Sequence, residues 1–215
     1  MGGSAQLGLR ERKKQQTRAA LVAAALDLVE RQGYPRTTIE QIADAAEVSP
    51  RTVAHYFPSK DLLLLSLLDA FTDAVNVELA GVPPDVPPLP ALLAANLTML
   101  DKASRSEGAM TPARVATLLR IVNIARSLQR GAMRVRSGDT AQALARRLDT
   151  TPDDARVLLV SAVWAAVTAT AWQSLRMNDT LDHMAVADLP DFMSRMLTAS
   201  YADLGELTAD LAAGG

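Results

Sequence analysis

Cysteine is absent from the 215 residues, which removes disulfides and thiolate metal sites. Histidine is nearly absent. Of the two, His183 is a lone histidine read as a surface residue, and no H-E-x-x-H pattern exists, so no metal centre is expected. A G-x-S-x-G nucleophile turn and a glycine-rich phosphate loop are also missing. Neither an enzyme nor a cofactor is therefore expected, although an active site dispersed through the sequence would leave no such mark. Aromatic residues reach only 4%, while Ala and Leu dominate, a bias that favours helices over sheets. No charged-then-apolar leader opens the chain, and the cytoplasm is the expected location.

The net charge of −2 looks unsuited to nucleic acid until the chain is divided at residue 60. Residues 1–60 hold nine basic and six acidic side chains, a surplus of +3, and the remainder carries −5. A basic head on an acidic body is the pattern of a localised DNA footprint.

From Thr17 the apolar positions Leu21, Ala24, Ala25, Leu28 and Val29 recur at helical spacing, and Gly33 closes the segment as a C-cap. Thr37 and Thr38 are each followed three residues later by Glu40 and Gln41, a capping-box pattern that opens a short helix over 39–46. Ser49-Pro50 is an N-cap with proline at the first helical position, opening a third helix over 50–57. Pro58-Ser59 ends it and starts a fourth, over 60–79. Prolines 83, 84, 87, 88 and 90 then form a rigid connector. The rest is helical in pattern, over 90–105, 112–124, 126–148 and 152–177, with a last helix ending near Leu207. Thr151-Pro152 is taken as the cap of the penultimate one.

Val157 to Leu175 contains no charged residue over 19 positions, the length of a membrane span. Its Ala, Ser and Thr content favours instead a core helix buried on every side, partly against a second subunit. No membrane association is expected.

Two short helices joined by Glu47-Val48-Ser49 make a helix-turn-helix. Ala43 and Ala46 are small where the helices must approach, and Ile42, Val48, Val53 and Phe57 are placed to lock the pair onto the first helix. The outer face left over is Pro50, Arg51, Thr52, His55 and Tyr56, a polar surface sized for a major groove. The run TTIEQIADAAEVSPRTVAHYFPSKDLL resembles the DNA-binding signature of TetR-type transcriptional regulators: paired threonines, an Ile-Ala, a small-residue turn, Val-Ser, a Thr, a closing Tyr-Phe and a Lys opening the next helix.

The resemblance implies an all-α protein in two domains. Residues 1–58 would be an N-terminal arm and helix-turn-helix DNA-binding domain, and residues 59–215 a helical ligand-binding and dimerisation domain. It implies base contacts from Pro50, Arg51, Thr52 and His55, and phosphate contacts from Thr38, Tyr56 and Lys60. The partners implied are double-stranded operator DNA, a second copy of the chain joined through the last two long helices, and a small apolar or amphipathic ligand whose binding releases a pseudo-palindromic operator. Two residues depart from the pattern: Glu47 stands where Gly is common, and Ala54 where an aromatic is frequent.

Arg10, Arg12, Lys13 and Lys14 form either an arm on the DNA or a charged tail. Met110, Met133, Trp164 and Trp172, with Met177 and Met184, either line a ligand cavity or fill ordinary core. A DNA-binding regulator without a physiological ligand, and a helical adaptor that binds only protein, are the alternative readings. The adaptor reading does not account for the polar reading face.

Overall fold

The computed structural model describes residues 3–124, 140–177 and 184–213, and every described element is helical. In chain order these are α1 (Gly3–Gln32), a 3-10 turn (Tyr34–Arg36), α2 (Ile39–Ala45), α3 (Pro50–Tyr56), α4 (Lys60–Gly81), α5 (Pro88–Ser104), α6 (Pro112–Ile124), α7 (140–147 within the described residues), α8 (Ala155–Met177) and α9 (Leu189–Ala213). Two compact units result, Met1–Leu67 and Leu68–Gly215.

In the first unit the apolar stripe of α1 is buried at Leu21, Ala25, Leu26 and Val29, and it packs on α2. Ile42, Ala43, Val53 and Phe57 are buried as their spacing predicts. Each large apolar side chain so placed contributes about 1.5–3 kcal/mol relative to exposure. Helix α1 begins at Gly3 rather than near Thr17. Its N-terminal extension lacks an apolar stripe, and Arg12, Lys13 and Lys14 lie exposed on it, so the basic cluster is helical. The division between units falls inside α4 instead of at residue 58. Leu63 is fully buried and Lys60 is bonded to the turn before α2, which makes the start of α4 part of the head.

In the second unit α9 packs against α5 and α8. The Ser200 hydroxyl donates to the carbonyl of Val167 at 2.9 Å, and Lys102 pairs with Glu78 at 2.7 Å. The proline connector is held by Arg147, whose guanidinium donates to the carbonyls of Val82 (3.0 Å), Pro83 and Val86 (2.7 Å). Helix α8 starts at Ala155, not at Pro152. Residues 152–154 form a turn, and the Asp154 carboxylate caps the helix by accepting from the Arg156 N–H at 2.8 Å. That bond, with a second from the Thr150 hydroxyl at 3.0 Å, holds the Asp154 carboxyl below its usual range.

Among the described residues one helix is long and apolar enough to cross a membrane, the segment Ala155–Trp172 of α8. It is not buried on every side. Only 33% of that window is buried, and Leu158 and Leu159 are 54% and 65% exposed, with Ala162, Ala166 and Ala169 also exposed. Helix α9 runs beyond Leu207 to Ala213, and Leu207 is exposed as well.

Candidate nucleic-acid interface and a cavity in the second unit

Local hydrogen bonds fix the reading motif. The Thr38 hydroxyl accepts from the Gln41 N–H at 3.3 Å while the Gln41 side-chain oxygen accepts from the Thr38 N–H at 3.0 Å, a complete capping box. Glu40, in the first turn of α2, has its carboxyl held below the usual range by a backbone N–H and by the Thr38 hydroxyl. At the other end of α2 the Val48 N–H donates to Ala43 and the Glu47 N–H to Asp44, which is a Schellman termination. That geometry requires a left-handed residue, and Glu47 takes it at φ 54°. The turn therefore uses the conformation for which glycine is common, with a side chain that strains it.

Ser49 caps α3 by accepting from the Thr52 N–H at 3.1 Å. Pro50, Arg51 and His55 are exposed on the outer face of α3, while Thr52 and Tyr56 are half-buried. The Thr52 hydroxyl lies 2.8 Å from the Ser49 hydroxyl, and the His55 and Tyr56 rings meet edge to face at 5.5 Å. Ala54 is exposed beside them. Thr38 is exposed at the N-terminus of α2, with its own N–H and that of Gln41 taken up by the capping box. The seven residues expected to meet DNA thus all lie in the first unit, on α2, α3 and the first turn of α4.

Lys60 has a second occupation that its sequence position did not reveal. Its ammonium donates to the carbonyls of Tyr34 at 2.9 Å and Thr37 at 2.8 Å, and lies 4.0 Å from the centre of the Tyr34 ring. Two of its three protons are committed within the head, and one remains. A cation at a helix N-terminus opposes the helix dipole, and these carbonyls supply the compensation.

The second unit contains a cavity of about 20 Å³. Phe71 of α4, Asn96 and Leu100 of α5, Thr168 and Trp172 of α8, and Met193 of α9 line it, with neighbours on α8 and α9. Phe71 and Trp172 meet edge to face at 6.5 Å. Of the four residues expected at a ligand site, Trp172 is at this cavity. Met110 and Trp164 are buried but are not among its described lining, and Met133 lies outside the described residues, as do His183 and most of the expected helix 126–148. Asn96, Thr168 and Met193 escaped sequence reasoning. The available signal was the i, i+4 pairing of Asn96 with Leu100, Thr168 with Trp172 and Met193 with Leu197, each pair on one helix face.

A capped two-helix motif with an exposed polar second helix, seated on a buried apolar first helix, defines a helix-turn-helix DNA-binding head. The family described as bacterial regulatory proteins, tetR family, matches residues 21–67, the segment that holds the helix-turn-helix. The chain is similar to the HTH-type transcriptional regulator TcmR of Streptomyces glaucescens, 40% identical over 100 residues that make up 46% of this chain and 44% of TcmR. It is also similar to RutR of Escherichia coli (strain K12), 35% identical over 85 residues, 40% of each chain. The matched region thus spans less than half the length of either relative. A TetR transcriptional regulator from Rhodococcus sp. RHA1 shares the fold over 87% of this chain and 97% of its own, with a TM-score of 0.55 and 16% identity. The described residues are all helical, and the likeness to that regulator is one of fold.

Proposed function

We propose that the chain acts as a ligand-responsive repressor in the cytoplasm, binding a pseudo-palindromic operator as a homodimer and leaving it when a small apolar or amphipathic molecule occupies the second unit. The observation that carries the DNA-binding part is the exposed face Pro50, Arg51 and His55 on a helix whose opposite side, at Val53, is fully buried. Arg51 and His55 would read base edges, with Thr38, Tyr56 and the remaining Lys60 proton on phosphates. The exposed apolar face of α8, from Leu158 to Ala169, supports a second copy of the chain as partner, because α8 and α9 otherwise leave that face to water. The proposed release runs along α4. Phe71 of the cavity and Lys60 both belong to α4, so a ligand that displaces α4 would pull, through Lys60, on the turn that caps α2. Coupling of about 1–3 kcal/mol would lower operator affinity roughly 5- to 150-fold.

A regulator without a physiological ligand is the second reading, favoured by the small volume of the cavity. Retardation of DNA from upstream of the protein's own gene, repeated with a metabolite screen, tests both. Sequence-specific retardation supports the DNA-binding reading, and its absence overturns it. Compounds that raise the melting temperature without changing retardation would favour the second reading.

A further inference from the structure

The hydrogen bonds around the second-unit cavity define what it can hold. Thr168, which is buried, has one hydroxyl proton and donates it back to its own helix, 3.0 Å from the carbonyls of both Trp164 and Ala165. Its oxygen therefore offers only lone pairs to an occupant. Asn96 is 4% exposed and donates one amide proton to the carbonyl of Leu92 at 2.8 Å, a bond that fixes which end of the amide is nitrogen. Its carboxamide oxygen is left as a second acceptor, beside one remaining N–H. No charged side chain is among the described residues lining the cavity, so an ionic occupant would be buried without a counter-charge. The walls are aromatic and thioether: the Phe71 and Trp172 pair lines the cavity together with Met193 and Met196.

We propose that this cavity binds small uncharged aromatic hydroxy compounds, that is, phenols, with the hydroxyl donating to Thr168 Oγ1 or Asn96 Oδ1 and accepting from the free Asn96 N–H. The regulatory meaning of the site rests on the ligand-sensor reading above, while its binding chemistry does not. A hydroxyl both donates and accepts, which matches two acceptors and one donor. An aromatic ring finds edge and face partners in Phe71 and Trp172 and favourable contacts with the methionine sulfurs. At about 20 Å³ the cavity as it stands has room for a water-sized body. Met193 and Met196, unbranched and with three rotatable bonds each, are the lining side chains best suited to change rotamer when a ring enters.

The test uses the full chain with phenol, toluene and benzoate, which share a ring and differ in the group attached to it. Calorimetric titration should show phenol binding at least about ten-fold tighter than toluene, since toluene leaves the buried acceptors unpaired, and no benzoate binding. Thr168→Val and Asn96→Leu should each reduce the preference of phenol over toluene to within about three-fold while toluene still binds. Thr168→Val keeps the shape of the wall and so keeps the test open if Asn96→Leu does not fold. Equal affinity for phenol and toluene, tighter binding of benzoate, no binding of any of the three, or a phenol preference unchanged in both variants overturns the proposal. Operator retardation run in parallel separates the two readings. Phenol bound with the expected preference while DNA stays bound supports this site and overturns the sensor reading. DNA released by charged metabolites with no phenol binding overturns this site and leaves the sensor reading standing.

Discussion

The Lys60 ammonium donates at 2.8 Å to the carbonyl oxygen of Thr37, the residue that precedes the N-cap of α2. One side chain thereby ties the first turn of α4 to the start of the reading motif. Thr37 is itself buried and bonded through its hydroxyl to the Gly33 carbonyl at 3.1 Å, so the tie ends on a fixed point.

Lys60→Met should therefore do two things at once. It should lower unfolding stability by about 1–3 kcal/mol, because the carbonyls of Tyr34 and Thr37 lose a charged donor, and it should weaken binding to all DNA sequences alike. The slope of log affinity against log salt should flatten by no more than about 0.9 per head, the value of one phosphate contact. Chemical denaturation and salt-dependent binding check this. A flattened slope with unchanged stability would mean that the tie to Thr37 contributes nothing.

The reading helix makes a different prediction. Arg51 and His55 are exposed on α3, and Arg51→Ala or His55→Ala should each cost about 1–3 kcal/mol at the preferred site and alter which bases are preferred. Binding-site selection is the measurement, and an unchanged consensus in both variants would remove their base-reading roles.

Glu47 at φ 54° points to a stabilising change. A left-handed non-glycine residue costs roughly 1–2 kcal/mol, and glycine removes that cost while adding about 0.5–1 kcal/mol of unfolded-chain entropy. Glu47→Gly should thus stabilise the head by about 0.5–1 kcal/mol, read as a higher denaturation midpoint with an unchanged slope. A lower midpoint would show that the Glu47 side chain makes a compensating contact.

How much of this was legible in the sequence follows from the range of the interactions involved. The helix-turn-helix was legible because its signals are local. Thr38 with Gln41, and Ser49 with Thr52, are bonded within three residues, and the buried set Ile42, Val53 and Phe57 follows from spacing alone. Where two local signals competed, the choice failed: Thr151-Pro152 has the form of a cap, but Asp154 is the residue that caps α8. The start of α1 was missed because residues before Thr17 favour helix by propensity and carry no apolar period. The cavity was nearly illegible. Its lining comes from α4, α5, α8 and α9, and only Trp172 had been singled out, on grounds of composition. Lys60 is a similar case, since its partners lie 23 and 26 residues earlier in the chain.

The cap of α8 gives a pH prediction. The Asp154 carboxyl is depressed in the folded state, first by the Arg156 N–H and then by the Thr150 hydroxyl. A depressed folded value means that the carboxylate stabilises above the ordinary Asp range, near about 3.9, and that this contribution is lost as pH falls through the folded value. Asp154→Asn should therefore show a shallower loss of melting temperature than the wild type on going from about pH 5 to pH 3. Parallel melting curves would remove Asp154 from the acid transition.

The last prediction concerns assembly. Ala169 is exposed and Ala165 half-buried on α8, in a helix whose uncharged surface continues through Ala162 and Ala166 to the exposed Leu158 and Leu159. If a second copy covers this face, Ala169→Glu places a carboxylate in an apolar seam with no partner, which costs several kcal/mol at the interface and nothing in the isolated chain, where the site faces water. The variant should therefore sediment as a monomer at micromolar concentration while keeping its helical content and melting cooperatively. It should also lose specific operator binding, because one head alone presents half of the contacts that a pseudo-palindrome offers. Dimeric Ala169→Glu would move the interface off this face of α8, and a wild-type chain that sediments as a monomer would overturn the dimeric mechanism altogether.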